Sequence, residues 1–229
     1  VKEIKWLFFD LFDTIVFVDE EVYYKGKREA AELTGIDPES FISSWRSTSE
    51  EALIGKLKDP FQRANEALKK MGVNDRNISA KIAIYDIETL QRCVSFYDGA
   101  TEALSFLRER GFNLALLSNA TATTAFILAP LHLRDRFDHL ILSYEIGLKK
   151  PDPQFFKVAL QRTNALPEES IFIGDGANKE LDAARECGLK TLRINHPQKA
   201  HSFMDKNNLS SPDHDEVKSF NELLKYLGY

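Results

Sequence analysis

The chain has 229 residues, 43 % of them hydrophobic and 28 % charged, with a formal net charge of -5. That length supports one substantial core plus a small second module, in the proportions of an ordinary soluble globular protein. The negative balance argues against a polyanion-binding surface, so nucleic acid is not expected as a partner.

In chain order, Ile4 to Phe9 is short, aromatic and β-branched, and reads as a strand buried on both faces. It delivers Asp10, with Phe12 two residues on and Thr14 four residues on. From Asp19 to Phe96 helix-like patterns dominate, over far more chain than a βα crossover needs, so this segment reads as an insert. Breaks at Thr34-Gly35, Asp37-Pro38, Asp59-Pro60 and Met71 to Asp75 divide it into several helices, a small α-helical module over the C-terminal edge of the sheet. Ala100, Ala103, Leu104 and Leu107 then trace one helix face that ends at Gly111. Further strands are expected at Leu114 to Leu117, Leu140 to Leu142, Ile171 to Ile173 and Leu189 to Ile194, with helical patterns between them. A polar stretch from His196 to Asp215 reads as a surface excursion, and Val217, Phe220, Leu224 and Leu227 as the face of a last helix. The alternation predicts an α/β fold, a doubly wound parallel sheet of Rossmann-like type, built from residues 1–18 and 97–229, with residues 19–96 as the helical insert.

Cys93 and Cys187 form no CxxC and no Cys/His cluster, and a reducing cytoplasm is the simplest setting. No apolar run approaches the roughly 20 residues of a membrane span, and neither a secretory leader nor a membrane partner is expected.

In an open parallel sheet ligands bind beyond the carboxyl ends of the strands. Asp10 follows the first strand, Ser118 and Asn119 the second, Lys150 the third, in Gly147 to Pro153, and Asp175 and Glu180 the fourth. Taken singly, each has a plainer use: Asp10 and Ser118 as helix caps, Lys150 as a solvated lysine like its neighbour Lys149, Asp175 as a turn residue in Gly-Asp-Gly. The following Pro-Asp-Pro selects Lys150 over Lys149, and Asp182 is assigned to the solvent face of a helix beginning near Asn178. The five histidines show no metal-ligand spacing, and with neither GxGxxG nor a Walker A loop a nucleotide-binding enzyme is not expected.

These four segments, in this order, resemble the motifs of the haloacid dehalogenase-like hydrolases, and the insert resembles the cap of that superfamily. The resemblance spans nearly the whole chain and implies a Mg²⁺-dependent phosphohydrolase that acts on a small phosphorylated metabolite through an aspartyl-phosphate on Asp10. A carboxylate attacking phosphorus must overcome repulsion between two anions, which calls for a divalent cation on oxygen ligands. The resemblance gives Asp10, Asp175 and the Phe12 carbonyl as those ligands. Lys150 would hold Asp10 and offset phosphate charge, Ser118, Asn119 and Thr14 would bind the phosphate, and Glu180 would orient Lys150 or metal-bound water.

Phe12 departs from the pattern, since phosphatases of this superfamily usually carry there an aspartate that protonates the leaving oxygen. Three readings follow. Asp13 or a water supplies the proton, or the substrate is an activated acyl phosphate or similar; for Asp13 this requires a turn at Leu11 to Thr14, because neighbouring side chains of extended backbone point apart. Alternatively the chain is a 2-haloacid dehalogenase-like hydrolase, in which an aromatic residue is familiar here and Arg46 or Arg28 would bind a substrate carboxylate. Or it is a catalytically weakened binding or regulatory protein. Asp175 favours the first, because a metal carboxylate has no use in a metal-free dehalogenase. Tyr23, Tyr24, Lys25, Lys27, Arg28, Trp45 and Arg46 are the insert residues expected to face substrate.

Overall fold

The computed structural model of the protein describes residues 3–197 and 208–229. Strand β1 (Trp6–Phe9) is followed by β2 (Val16–Val18), then by α1 (Glu20–Glu32), α2 (Pro38–Ser47), α3 (Ser49–Leu53), α4 (Pro60–Lys70) and α5 (Arg76–Cys93), then by β3 (Val94–Phe96). The chain continues through α6 (Ala100–Glu109), β4 (Asn113–Ser118), α7 (Ala125–Leu128), α8 (Leu133–Arg136), β5 (His139–Leu142), α9 (Ser143–Ile146) and α10 (Pro153–Thr163). The chain ends with β6 (Ser170–Gly174), α11 (Glu180–Glu186), β7 (Lys190–Ile194), β8 (Asp215–Val217) and α12 (Phe220–Tyr226).

Six strands form one sheet in the order β5-β4-β1-β6-β7-β8, every pair parallel, the Rossmann-like α/β architecture that the alternation predicts. Side chains of period two divide the core between the faces. Leu7 and Phe9 of β1, with Leu114 and Leu116 of β4, pack against Leu104 of α6 and Phe220 and Leu223 of α12. Phe8, Ala115 and Leu117 point the other way, against Phe155 and Phe156 of α10 and Leu181 of α11. Phe9 pairs with Leu116 on one side and Ile173 on the other, so Asp10 emerges between the ends of β4 and β6.

The helices between β2 and β3 carry a core of their own, with Phe41, Trp45, Leu68 and Ile82 at its centre. The starts of four of the five are fixed by aspartates: Asp19, Asp37, Asp59 and Asp75 each accept a hydrogen bond from a first-turn N–H, and Pro38 and Pro60 occupy the first helical positions. Such caps are worth about 1 kcal/mol each, which is why the Asp-Pro and Asn-Asp breaks in the sequence fall at helix boundaries. The two ends of the segment are joined by an antiparallel pairing of β2 with β3, in which Val16 faces Phe96. That pairing escapes sequence patterning because each strand has three residues.

Two expectations near the C-terminus are corrected. Val217 belongs to β8, which extends the sheet beside β7, and not to the final helix; Ser219 caps α12 by accepting from the Glu222 N–H, and Phe220 and Leu223 are the buried residues of its face. The polar stretch expected at His196 to Asp215 falls partly at residues 198–207, which lie outside the described residues; beyond them Ser210 is tied back to Gly176 and His214 is buried. Among the described residues no helix is long and apolar enough to cross a membrane.

Candidate active site

Asp10 leaves β1 with its N–H still bonded to the Ile173 carbonyl at 2.9 Å. The chain then turns at once: the Leu11 carbonyl accepts from both Ile15 and Val16, and Asp13 adopts a left-handed conformation with φ 56°. Aspartate tolerates that region better than most residues. The turn places Asp13 on the wall of the same cavity as Asp10 and Phe12. It is the turn an acid at Asp13 requires.

Lys150 follows α9 and meets Asp10 from the far side of β4. Its ammonium donates to Asp10 Oδ1 and lies 2.7 Å from Glu180 Oε2, with all three groups buried. The backbone of Lys150 is clasped by the Asn119 side chain, which donates to the Lys150 carbonyl at 2.8 Å and accepts from its N–H at 2.7 Å. Glu180 approaches because residue 174 is glycine: a Cβ there would collide with Glu180 Oε1. Asp175, one residue further, accepts from the Ala177 N–H at 2.9 Å and lines the cavity.

Carboxylate oxygens of Asp10, Asp175 and Glu180 lie within 4.8 Å of one another, against the one ammonium of Lys150. Burial raises the Asp10 carboxyl above its ordinary value, with Lys150 opposing and Asp175 adding to the shift. Burial likewise pushes Glu180 up to about 8, again opposed by Lys150. The Lys150 ammonium, against its own desolvation, is held charged by Asp10 and Glu180. Hard oxygen donors with surplus negative charge in a buried setting fit a divalent cation such as Mg²⁺.

Thr14 and Ser118 sit deeper than the cavity wall. Thr14 is fully buried, its hydroxyl 3.5 Å from Asp10 Oδ2 and its carbonyl 2.9 Å from His196 Nε2. Ser118, at the tip of β4, has a buried hydroxyl with no hydrogen-bond partner among the described residues. A buried polar atom left unpaired is costly, and an oxyanion bound beyond the tip of β4 would relieve it. Phe12 lines the cavity; Asp182, assigned to a solvent face, instead accepts from Ser211 and from His214 at 2.8 Å and so anchors the loop before β8 to α11.

The cavity, of about 430 Å³, extends from these groups to the inserted helices. Of the insert residues expected there, only Tyr23 lines it. Lys27 and Trp45 are buried beside it, Lys25 and Arg28 are exposed, and Arg46 bonds Tyr24 at 2.8 Å near the surface. Arg63 and Asp86 line it unforeseen. Asp86 pairs with Lys27 inside the insert and accepts from Thr123 in the loop after β4 at 2.8 Å. The helix pattern carries the signal for both: Ile82, Asp86, Thr89 and Cys93 share one buried stripe, as do Pro60, Arg63, Ala64 and Ala67, and a charge on a buried stripe is seldom solvated.

A family model described as haloacid dehalogenase-like hydrolase matches residues 4–188. The chain is 28 % identical over 198 residues to a glyceraldehyde 3-phosphate phosphatase of Pyrococcus furiosus, covering 84 % of this chain and 81 % of that protein. Among solved structures it resembles a HAD family enzyme of Bacteroides thetaiotaomicron in complex with magnesium and inorganic phosphate, at 22 % identity and TM-score 0.65, over 84 % of this chain and 94 % of that one. It also resembles the L-2-haloacid dehalogenase of Xanthobacter autotrophicus, at 19 % identity and TM-score 0.67, over 98 % of both chains. Both structural likenesses are of fold.

Proposed function

As the chain belongs to the haloacid dehalogenase-like hydrolases, we propose that it is a Mg²⁺-dependent phosphohydrolase of a small phosphorylated metabolite, with Asp10 as nucleophile. The observation that carries this reading is the bond from Lys150 to Asp10 in a cavity whose wall also holds Asp175. The phosphatase relatives and the cavity volume, within the range of small-molecule sites, support the substrate class.

Asp10, Asp175 and the Phe12 carbonyl would hold the cation. When bound, Mg²⁺ supplies charge that offsets the repulsion between carboxylate and phosphate. A carboxylate oxygen of Asp10 attacks phosphorus, forming an aspartyl-phosphate as the bond to the leaving oxygen breaks. Lys150 neutralises developing charge and fixes Asp10, while the Ser118 hydroxyl donates to a phosphoryl oxygen. Asp13 gives a proton to the leaving oxygen and then takes one from the water that cleaves the aspartyl-phosphate, returning Asp10 and inorganic phosphate. The turn that puts Asp13 on the cavity wall supports this role, and the Tyr97 hydroxyl, kept protonated by burial, bonds Asp13. Residues 19–96 act as a cap that shields the reaction from water and selects the substrate.

Phe12 favours dehalogenation instead, since a halide leaves unprotonated, and the insert arginine at the cavity, Arg63, would suit the substrate carboxylate of that reading. A single panel separates the readings: purified protein with Mg²⁺, aryl phosphates, acetyl phosphate, sugar phosphates and 2-chloropropionate. Phosphate release that chelator and Asp10→Asn abolish supports the proposal. Halide release indifferent to chelator overturns it in favour of a dehalogenase, and silence on every compound in favour of a binding protein.

A further inference from the structure

Three charged residues lie buried in the inserted helices, and only two of them neutralise each other. Lys27 of α1 pairs with Asp86 of α5. Arg63 of α4 is also buried, yet it makes no ion pair among the described residues; its Nε donates to the Thr48 hydroxyl and its Nη2 to the Ser49 hydroxyl, each at 3.2 Å. Its guanidinium carbon lies 4.6 Å from the centre of the Trp45 ring, and the Lys27 ammonium 3.9 Å from it.

A guanidinium removed from water is ordinarily matched by an anion, because hydroxyls and an aromatic face recover part of its solvation and none of its charge. A second, independent observation lies beside it. The Trp45 indole Nε1 is buried with no hydrogen-bond partner among the described residues. Arg63, Trp45, Ser49 and Tyr23 line a side pocket of about 130 Å³, and Arg63, Ser49 and Tyr23 line the main cavity as well. The pocket thus shares three lining residues with the cavity in which Asp10 stands. Burial, reinforced by Asp86, keeps the Tyr23 hydroxyl protonated as a donor. Donors surround the pocket, its cations outnumber its anions, and its volume admits a group the size of a carboxylate.

We infer that this pocket receives a second anionic group on the substrate, carried on the part that leaves with its oxygen, with Arg63 as the counter-ion and the Trp45 N–H as a further donor. The inference rests on the phosphohydrolase reading and specifies its substrate class: phosphate monoesters of small acids, in place of neutral alcohols or aldehydes. Arg63 touches substrate far from the reacting atoms, and its contribution is to affinity and choice.

The test is calorimetric titration of the Mg²⁺-loaded protein with two non-hydrolysable probes, 3-phosphonopropionate and propylphosphonate, alongside phosphate release from 3-phosphoglycerate and glycerol 3-phosphate. The carboxylate is expected to tighten wild-type binding by about tenfold or more, the scale of a hydrogen bond to a charged group. Arg63→Met should bring the ratio to within about threefold of unity, and Arg63→Lys should leave it between the two. Trp45→Phe, which keeps the ring and removes the N–H, provides a second variant and should also lower the ratio. Equal wild-type affinity for the two probes, or a preference that survives in a folded Arg63→Met protein, overturns the inference. If phosphate is released while the probes bind equally, only the anionic subsite falls; if neither probe binds and no ester is cleaved, the phosphohydrolase reading falls with it.

Discussion

Asn119 holds Lys150 by both backbone groups, its amide nitrogen on the Lys150 carbonyl at 2.8 Å and its amide oxygen on the Lys150 N–H at 2.7 Å. A residue expected to bind phosphate thereby becomes the clamp that sets the lysine against Asp10. Asn119→Ala is expected to lower kcat by roughly 10²-fold, the scale of a misplacement near 1 Å, with a smaller change in KM. Steady-state kinetics on an aryl phosphate measure the split; a rise in KM alone would mean that Asn119 binds substrate instead.

Asp13 stands in the left-handed turn beside Phe12, at the cavity wall. Asp13→Asn should cost about 10²–10⁴ in kcat on alkyl phosphates, whose leaving oxygen needs a proton, and much less on acetyl phosphate. In the Asp13→Asn background, Phe12→Asp should recover part of the loss. Equal losses on both kinds of substrate would remove Asp13 from proton transfer.

The acid cluster makes stability depend on pH when no metal is bound. Glu180 is raised from an ordinary 4.5 to about 8 in the native state, and Asp10 is raised too, both first by burial. A raised carboxyl stabilises the fold below its unfolded pKa and loses that contribution as pH rises through its folded value. The chelated protein should therefore melt at steadily lower temperature between pH 4.5 and about 8, each 1 kcal/mol lost lowering Tm by roughly 2–4 °C. Saturating Mg²⁺ should flatten the profile. A chelated protein whose Tm is level across this range would contradict the electrostatic picture of the site.

Asp86 joins three elements, pairing with Lys27 of α1 and accepting from Thr123 beyond β4. Asp86→Ala strands a buried ammonium and should destabilise the protein by about 3–5 kcal/mol, read by urea unfolding. Replacing both partners, Lys27→Met with Asp86→Leu, should recover most of that loss. A single variant as stable as the wild type would show the pair to be solvated.

The parallel core is legible in the sequence because its strands are apolar runs, and the insert because Asp-Pro pairs and two Gly-containing breaks punctuate it. Asp10, Lys150, Asp175 and Glu180 are legible as strand-end residues, and the register of β1 between β4 and β6 brings them together. Short elements are not: β2, β3 and β8 have three residues each, too few for a period. The Asn119 clamp is hidden because its partner lies 31 residues away. Extended geometry would turn Asp13 away from Asp10, and its positive φ overrides that rule. Arg63 and Asp86 escape a search for aromatic and basic residues in α1 and α2, because the informative pattern is a charge on the buried stripe of α4 and α5.

The central claim is that Asp10 accepts the phosphoryl group. It is tested most directly by rapid quenching of the Mg²⁺-loaded protein with acetyl phosphate, reduction with borohydride, and peptide mass mapping. The acyl phosphate should be reduced so that residue 10 appears as homoserine, and the signal should vanish with chelator and in Asp10→Asn. Steady phosphate release without any such modification at residue 10 would contradict the account.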